Sequence, residues 1–317
     1  MKAINLGLIG LGTIGTGVVK VLHENSTLIA KRIGVSLVIK RIADLNIKQD
    51  RGVPIDKSIL TTHAEEVIND DEIDIIVELV GGYEPALSLI LQAISNKKHI
   101  VTANKALLAR HGQEVFEAIS KHQVNIGFEA SVGGGIPIIR CLKDNLAANR
   151  FESLYGIVNG TGNYILSKMT DEGKNFQDVL KEAQKKGYAE ADPAFDVEGI
   201  DSAHKIAILA FLAFGCHIPV DDVFTEGITH ITPTDIHFAG ELGYRIKLLA
   251  IAKRGDDTID IRVHPTMISK NNPISNINGV LNAVQIKGNA VGETMLIGEG
   301  AGALPTASAV LSDVMVG

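Results

Sequence analysis

The fold of the amino-terminal half is decided by the stretch INLGLIGLGTIGTGVVKVLHEN, residues 4–25. It opens with a short apolar run of the kind found in buried strands. After the glycines, apolar side chains recur at helical spacing at Val18, Val19, Val21 and Leu22. The pattern predicts a buried strand that turns directly into a helix.

The turn between this strand and this helix carries the pattern G-x-G-x-x-G. In such a turn the first glycine permits a sharp bend, and the second lets the backbone approach a pyrophosphate. The third lets the helix pack closely on the strand, and the amino terminus of the helix supplies N–H donors. We therefore expect a dinucleotide to contact Gly10, Gly12, Thr13, Ile14 and Gly15.

Strands and helices continue to alternate along the first half of the chain. Strands are predicted at GVSLVIKRIAD (34–44), IDIIVELVGG (73–82) and HIVTANK (99–105), with a helix at PALSLILQAISNKK (85–98). This alternation predicts an α/β fold of the Rossmann type, a doubly wound parallel sheet. Ligands bind beyond the carboxyl ends of such strands. The side chains expected at the cofactor edge are Glu78, Gly81, Thr102, Asn104 and Lys105.

Residues around the end of the second strand give opposite indications about the cofactor. Asp44 occupies the place where an acid commonly contacts the ribose of NAD. Lys40 and Arg41 lie just before it and suit the 2′-phosphate of NADP. The residues leave the preference open; we expect both NAD(H) and NADP(H) to be used, with NADP(H) modestly favoured through Lys40 and Arg41.

The alternation stops after VNIGFEASVGGGIPIIR (124–140), where Ile136-Pro137 is predicted to open a helix and the three glycines suggest a hinge. A strand is predicted at FESLYGIVNG (151–160), a hairpin at YRIKLLAIAKRGDDTIDIRVHP (244–265) and two strands at GVLNAVQIKGNAVGETMLIG (279–298). The second half is therefore expected to be an α+β domain with a mixed sheet and helices on one face.

Two domains follow from these patterns. Residues 1–130 form the predicted dinucleotide-binding domain, which a carboxy-terminal helix at 303–317, stopping at Gly317, is expected to join; by spacing alone, Gly300 and Gly302 fit such a return and an ordinary helix entry equally well. Residues 131–302 form the predicted second domain.

Composition narrows the classes of function. The net charge is −7, there is no tryptophan, and no block of Lys and Arg occurs, so neither nucleic-acid nor membrane-surface binding is expected. The apolar run IAILAFLAFGCHIPV (206–220) is shorter than the roughly 20 residues that span a bilayer. Cys141 and Cys216 are expected to be reduced thiols, and the protein to be cytoplasmic.

The second half also concentrates acidic residues in KKGYAEADPAFDVEGIDSAHK, residues 185–205. Asp201 and Lys205 are four residues apart and share a helix face, which on an exposed helix would make only a weak surface ion pair. The helix becomes apolar directly after Lys205, so we expect the pair near the core. A buried lysine needs a carboxylate partner, and burial brings its pKa toward the working pH. Asp196 and Glu198 are interpreted as surface charges or helix caps.

Seven motifs together resemble homoserine dehydrogenase, in order and spacing, over nearly the whole chain. They are GLGTIG (10–15), TANKA (102–106), EASVGGGIPI (129–138), GTGNYIL (160–166), GYAEADPAFDVEGIDSAHK (187–205), HP (264–265) and GAGALPTASAV (300–310). The acidic motif is highly specific, whereas many families share the glycine motif. The resemblance implies NAD(P)-dependent interconversion of L-homoserine and L-aspartate 4-semialdehyde, on the route to threonine, methionine and isoleucine.

The resemblance also implies roles for single residues. Lys205 would be the acid/base that exchanges a proton with the substrate oxygen, and Glu190 and Asp201 would hold the amino acid. Lys105 would lie near nicotinamide and substrate. Hydride transfer needs an orienting clamp and one proton carrier, which agrees with these residue types.

Further implications of the resemblance concern the cofactor, a cation and assembly. Thr102 and Gly302 would contact the cofactor. Glu129 and the carbonyls of Val132, Gly134 and Ile136 would bind a monovalent cation, usually sodium. Residues 131–302 would be a substrate-binding and dimerisation domain that forms a homodimer, and an open sheet has edges that need covering. No ACT-type regulatory domain follows the last helix in this sequence, so weak or absent inhibition by threonine is expected.

Two rival functions remain open at this level. Aspartate-semialdehyde dehydrogenase has a similar two-domain plan but needs an activated cysteine, and neither Cys141 nor Cys216 has such surroundings in the sequence. A catalytically silent dinucleotide sensor would explain the glycines and leave Glu190, Asp201 and Lys205 without a role.

Overall fold

The structure, a computed structural model, describes residues 3–316. The chain divides into two compact units. One holds the chain up to Gly135 and again from Ala301 onward, and the other holds Ile136–Gly300. The predicted end of the last helix at Gly317 lies outside the described residues.

The strands are numbered in chain order. They are β1 (Ala3–Ile9), β2 (Ser36–Ala43), β3 (Leu60–Thr61), β4 (Ile75–Glu78), β5 (His99–Thr102), β6 (Ile126–Gly127), β7 (Phe151–Ile157), β8 (Phe224–Thr225), β9 (Tyr244–Arg254), β10 (Ile259–Ser269), β11 (Leu281–Gly288) and β12 (Gly292–Glu299).

The α-helices are numbered in the same way. They are α1 (Thr13–Ile33), α2 (Ala64–Ile68), α3 (Ala86–Ser95), α4 (Lys105–His122), α5 (Ile138–Arg140), α6 (Gly160–Glu172), α7 (Phe176–Lys185), α8 (Ala194–Val197), α9 (Ile200–Phe214), α10 (Pro233–Glu241) and α11 (Ala303–Val314).

The first unit contains a six-stranded sheet in the order β3-β2-β1-β4-β5-β6, and every neighbouring pair is parallel. Its register pairs Ile9 with both Ala43 and Glu78, and Glu78 with Thr102. The carboxyl ends of four strands therefore meet at one edge, directly before the glycine turn. The predicted doubly wound parallel sheet is confirmed.

The last helix belongs to this first unit. Side chains of α11, among them Ala307, Val310 and Leu311, lie in the same apolar cluster as Leu8 and Val18. The helices α1 and α11 approach so closely that a Cβ on Gly17 would lie 2.7 Å from the Ala303 carbonyl oxygen. The chain therefore returns to complete the core on which α1 packs.

The second unit contains a mixed sheet in the order β12-β11-β7-β9-β10-β8. Its neighbouring strands are antiparallel except for the short parallel pair β8 and β10. The predicted hairpin is β9 and β10, and the predicted strand pair is β11 and β12. Helices α6, α9 and α10 pack on β9. The prediction of a mixed sheet in an α+β domain is confirmed.

One predicted helix differs in detail. The helix at the start of the second unit begins after Pro137, as the short α5, and continues as a π-helical turn at Cys141–Asn145. Pro137 is the N-cap, because its ψ of 58° lies outside the helical region. The proline thus precedes the first turn instead of lying within it.

Candidate active site

The acidic stretch ends in the buried helix α9. Gly199 precedes this helix in the left-handed conformation, and Gly215 ends it in the same way. Asp201 lies in the first turn, where the helix dipole favours a carboxylate. The whole segment from Asp201 to Ala210 is buried, as the apolar sequence after Lys205 predicts.

Asp201 and Lys205 form a tight buried ion pair. Lys205 Nζ donates to Asp201 Oδ2 at 2.6 Å, and the two side chains are only 9% and 4% exposed, the lysine being the first. Lys205 Nζ also donates to the Val158 carbonyl oxygen at 2.6 Å. Burying two charges carries a desolvation penalty that close pairing and added hydrogen bonds offset. Such a lysine is held in one place, which is what directed proton transfer requires.

The loop between β7 and α6 completes this arrangement. Asn159 Nδ2 donates to Asp201 Oδ2 at 2.9 Å and to Asp196 Oδ1 at 2.7 Å. Asp196, interpreted from the sequence as a surface charge or cap, is therefore tied to the buried pair. Neither this contact nor the role of Asn159 was predicted. Asn159 lies directly before the GTGNYIL motif, which was the one signal available in the sequence.

Glu190 lies in the exposed turn between α7 and α8. Its carbonyl oxygen accepts a hydrogen bond from Gln184 Nε2 at 3.0 Å. The same turn is fastened to α6, because Thr161 Oγ1 donates to the Tyr188 carbonyl oxygen at 2.7 Å and the Tyr164 and Tyr188 rings lie 5.0 Å apart. The turn that carries Glu190 is thus anchored on the helix that follows Asn159.

A hydrogen bond beside an exposed ion pair links α6 to α7. Tyr164 Oη donates to Glu182 Oε1 at 2.7 Å, and Lys186 pairs with the same carboxylate at 2.9 Å. Lys186 and then Tyr164 lower the pKa of Glu182 to about 2, and Glu182 in turn raises the pKa of Lys186. Solvent reaches both charged groups, so the ion pair at the end of α7 contributes little stability, and the Tyr164 hydrogen bond to Glu182 is the contact that links α6 to α7.

Lys247 is a second buried lysine of this unit. Its Nζ donates to Asn163 Oδ1, Asn278 Oδ1 and the Ile277 carbonyl oxygen at 3.0, 2.9 and 2.6 Å. Burial, and after it the nearby Arg245, lowers the pKa of Lys247 to about 8. Lys247 differs from Lys205 because these acceptors are neutral, and it fastens α6 to the loop before β11.

The glycine turn of the first unit has the geometry of a phosphate cradle. Gly10 has φ of +100°, and a Cβ there would lie 2.8 Å from the Leu79 backbone. A Cβ on Gly15 would lie 2.2 Å from the Gly10 carbonyl oxygen, whereas one on Gly12 would meet nothing within 4 Å. Helix α1 starts at Gly12 without a side-chain cap, so its first N–H groups are available to an anion.

A cavity of about 420 Å³ lies at this turn, lined by Gly12, Thr13, Thr16, Lys20 and Arg51 among others. Arg51 is held by Asp44, whose carboxylate also accepts the Leu11 N–H at 2.6 Å. Asp44 thus fixes both the glycine turn and a cation at the cavity. Arg51 was missed from the sequence, because nothing in its own neighbourhood marks it as facing the glycines.

The carboxyl edge of the sheet carries a buried hydrogen-bond network. Glu78 Oε2 accepts from Thr102 Oγ1 at 2.6 Å, and Glu78 Oε1 accepts from the Val80 N–H at 2.8 Å. Asn104 caps α4 and donates to the Gly82 carbonyl oxygen at 2.7 Å. The hydrogen bonds of Asn104 therefore hold the backbone at the start of α4, where Lys105 is the first residue.

Lys40 and Arg41 are engaged in ion pairs of the first unit. Lys40 pairs with Glu72 at 2.6 Å, and Arg41 pairs with Glu66 at 2.9 Å. Both basic side chains are about 40% exposed. Their proposed contact with a 2′-phosphate stays a prediction.

The residues expected to bind a cation occupy the segment before and at the start of the second unit. Glu129 and Val132 are buried, Gly134 has φ of +53°, and Ile136 is buried. The Glu129 N–H donates to Asp313 Oδ2 of α11 at 2.7 Å. This hydrogen bond holds the turn at Glu129, which directly precedes the glycine segment.

Gly302, expected to contact the cofactor, is the N-cap of α11 with φ of +125°. Residues 3–316 contain no cluster of three or more His, Cys, Asp or Glu side chains suited to a metal ion. Within the same residues, the helices are all too short or too polar to cross a membrane.

Sequence profiles place both parts of the chain in one family. The profile described as homoserine dehydrogenase matches residues 137–315. The profile described as the NAD-binding domain of homoserine dehydrogenase matches residues 10–129.

Individual relatives agree with the profiles. Homoserine dehydrogenase of Pseudomonas aeruginosa is 50% identical over 317 residues, covering 99% of this chain and 72% of the relative. A crystal structure of a homoserine dehydrogenase from Thiobacillus denitrificans has a TM-score of 0.95 at 52% identity, over 99% of this chain and 73% of that one. A hyperthermophilic archaeal homoserine dehydrogenase in complex with NADPH has a TM-score of 0.84 at 27% identity, over 99% and 97% of the two chains.

The fold and these matches define an NAD(P)-dependent oxidoreductase. The chain belongs to the homoserine dehydrogenase family. The rival dehydrogenase that needs an activated cysteine finds no support, since the matches carry the other name.

Proposed function

We propose that the chain interconverts L-homoserine and L-aspartate 4-semialdehyde with NAD(P) as the hydride carrier. The observation that carries this proposal is the buried Lys205, held by Asp201 and the Val158 carbonyl, in a chain of this family. The biosynthesis of threonine, methionine and isoleucine is the proposed pathway, and the cytoplasm the proposed location, which cell fractionation tests.

The first unit fits a dinucleotide. The open space at Gly12, the uncapped start of α1 and the cavity with Arg51 suit a pyrophosphate. We propose that Gly10, Gly12, Thr13, Ile14 and Gly15 hold the pyrophosphate, and that Thr102 and Gly302 add contacts. The nicotinamide, when bound, supplies the hydride acceptor and donor for the substrate carbon.

Lys205 is the proposed acid/base. In the oxidation, the substrate hydroxyl loses its proton to the lysine amine as the hydride leaves the carbon. In the reduction, the ammonium returns a proton to the carbonyl oxygen. Asp201 stabilises the cationic form and fixes its direction, because it accepts from Nζ at 2.6 Å.

The substrate is an amino acid, so its ammonium group needs carboxylates. We propose that Glu190 and Asp201 bind this group, which matches their place in the acidic segment. Lys105, at the fixed start of α4, is proposed to contact the nicotinamide and the substrate.

A monovalent cation, sodium, is proposed at Glu129 with the carbonyls of Val132, Gly134 and Ile136. Oxygen-only donors with one carboxylate suit a hard cation, and the burial of Glu129 makes a nearby positive charge favourable. The cation would neutralise this carboxylate and order the glycine segment.

The second unit is the proposed substrate-binding and dimerisation domain. Exposed apolar side chains on its strands, such as Phe224, Met267 and Ile297, support a homodimer. Sedimentation at micromolar concentration should give the mass of two chains, and a monomer would contradict the proposal.

Arg41 and Arg51 should affect the two cofactors differently. Arg41→Ala should raise KM for NADP+ by about tenfold, the factor for one charge-assisted hydrogen bond, and leave KM for NAD+ unchanged. Arg51→Ala, at the cavity beside the glycine turn, should raise KM for both cofactors. Equal effects of Arg41→Ala on both cofactors would remove Arg41 from the 2′-phosphate site.

A spectrophotometric assay tests the proposed function. Purified protein, L-homoserine and either NAD+ or NADP+ should give reduced cofactor, whereas L-threonine in place of L-homoserine should give much less. The rate should be higher in sodium chloride than in choline chloride if the cation is bound. Tight cofactor binding without turnover of L-homoserine would support the silent sensor instead.

A further inference from the structure

The buried ion pair depends on two consecutive residues at the end of β7. The Val158 carbonyl accepts from Lys205 Nζ, and the Asn159 amide donates to Asp201 Oδ2. The backbone of Val158 therefore holds Lys205, and the side chain of Asn159 holds Asp201. We infer that Asn159 is a positioning residue, which sets the Asp201 carboxylate for Lys205 by sharing its amide between Asp201 and Asp196.

The orientation of the Asn159 amide is determined by its neighbours. Its Oδ1 accepts the Gly162 N–H at 2.8 Å, and its Nδ2 faces two carboxylates at 2.7 and 2.9 Å. A flipped amide would place oxygen against both carboxylates and nitrogen against an N–H donor. Both N–H bonds of Nδ2 are thus used on acids.

The Asn159 amide also affects the electrostatics around Asp196, Asp201 and Lys205, which a helix cap alone would not do. Asp196 and Asp201 are two like charges that meet at one nitrogen, and Lys205 pairs with Asp201. Like charges this close repel, and N–H donors between them offset that repulsion. Asn159 donates to the same Asp201 oxygen as Lys205, so it limits the movement of that oxygen around the ammonium.

The frame behind Asn159 is rigid. Asn159 is the N-cap of helix α6, which is held one turn later, where Asn163 Oδ1 accepts from the buried Lys247 at 3.0 Å. Lys247 also reaches Ser167 on the next turn at 3.3 Å. A group whose support is locked by such contacts can hold a catalytic side chain within the narrow limits that catalysis requires.

The helix-cap role and the positioning role of Asn159 predict different effects of the same substitution by Asp. As a helix cap, Asn159 would be replaced without loss by Asp, since Asp and Asn are equally good caps. If Asn159 is a positioning residue, its replacement by Asp should impair catalysis, because the Asp side chain has no N–H and adds a third negative charge beside Asp196 and Asp201. Folded Asn159→Asp should therefore lose kcat by about ten- to hundredfold, the factor for one charge-assisted hydrogen bond, and the added buried charge should also lower its melting temperature. Cofactor affinity should stay the same.

Asn175→Asp is the matched control. Asn175 caps α7 through its Oδ1 and donates its amide to Asp178 at 2.8 Å, so the same replacement removes the same kind of donor elsewhere in the unit. Its kcat should be unchanged. Asn159→Ser keeps a cap acceptor without adding charge, and it should lose less kcat than Asn159→Asp.

The inference rests on the proposed role of Lys205, and the outcomes separate the two. Absence of turnover in the wild type would contradict the proposed function itself. Turnover in the wild type with normal kcat in Asn159→Asp would overturn only the inference. Failure of both Asn159 variants to fold, with Asn175→Asp folded, would also overturn it by assigning Asn159 a purely structural role.

Discussion

Replacing Lys205 by Ala should lower kcat by about two to four powers of ten, the usual range for loss of a general acid/base. The physical reason is that Lys205 is the proposed proton carrier, held at 2.6 Å by Asp201 and at 2.6 Å by the Val158 carbonyl. Asp201→Ala should also be damaging, since it leaves the lysine without its orienting carboxylate.

The binding of NADPH to Lys205→Ala should remain near the wild-type value, because the glycine turn belongs to the other unit. Lys168→Ala is the matched control, since it removes another lysine–carboxylate pair at i,i+4 spacing in the same unit, but one that solvent reaches. It should leave kcat and the melting temperature nearly unchanged. A folded Lys205→Ala with near-normal kcat and a lowered melting temperature would make the pair structural.

Gly15→Ala and Gly12→Ala should fail for different reasons. A Cβ on Gly15 would lie 2.2 Å from a backbone oxygen of Gly10, which cannot move without reshaping the turn. We expect a loss of about 3 kcal/mol or more in the free energy of unfolding, together with loss of cofactor binding. A Cβ on Gly12 meets no protein atom within 4 Å, so the fold should lose less than about 1 kcal/mol, the cost of a weaker cap.

The Gly12 variant should still lose cofactor affinity, by about tenfold or more, because its methyl group would occupy space at the cavity proposed for the pyrophosphate. Denaturant unfolding and a titration with NADPH measure the two effects separately. Gly112→Ala is the control for adding a methyl group to a helical glycine. Its Cβ would lie 3.4 Å from Phe116, and the helix should gain up to about 1 kcal/mol.

Normal cofactor affinity in folded Gly12→Ala would contradict the placement of the pyrophosphate at this turn. Normal stability in Gly15→Ala would contradict the close approach of α1 to the Gly10 carbonyl.

Much of the fold could be predicted because its determinants are local. The glycine spacing defines the turn before α1, and the alternation of apolar runs defines the parallel sheet. The strand pair β9 and β10 is signalled by two apolar runs around one polar turn. Each of these patterns lies within a few tens of residues, where periodicity and turn chemistry are informative.

The contacts that complete the site could not be predicted in the same way. Asn159 lies 42 residues from Asp201 and 37 from Asp196, and only the packing of β7 beside α9 brings them together. From its neighbours in the sequence, Asp196 was therefore interpreted as a surface charge or helix cap. The position of Arg51 could not be predicted for the same reason. Its ion pair with Asp44 holds it near the glycine turn, but it lies in a loop with no recognisable sequence pattern. The pair Asp201 and Lys205 was accessible to prediction because it lies within one helix.

The most direct measurement of the central claim is the single-turnover rate of hydride transfer in Lys205→Ala. Enzyme preloaded with NADP+ is mixed rapidly with excess L-homoserine, and the formation of NADPH is followed in time. This rate reports the chemical step, whereas kcat can be limited by product release. We predict a rate lower than that of the wild type by about two to four powers of ten, with cofactor loading unchanged. A single-turnover rate equal to that of the wild type would contradict the assignment of the proton to Lys205.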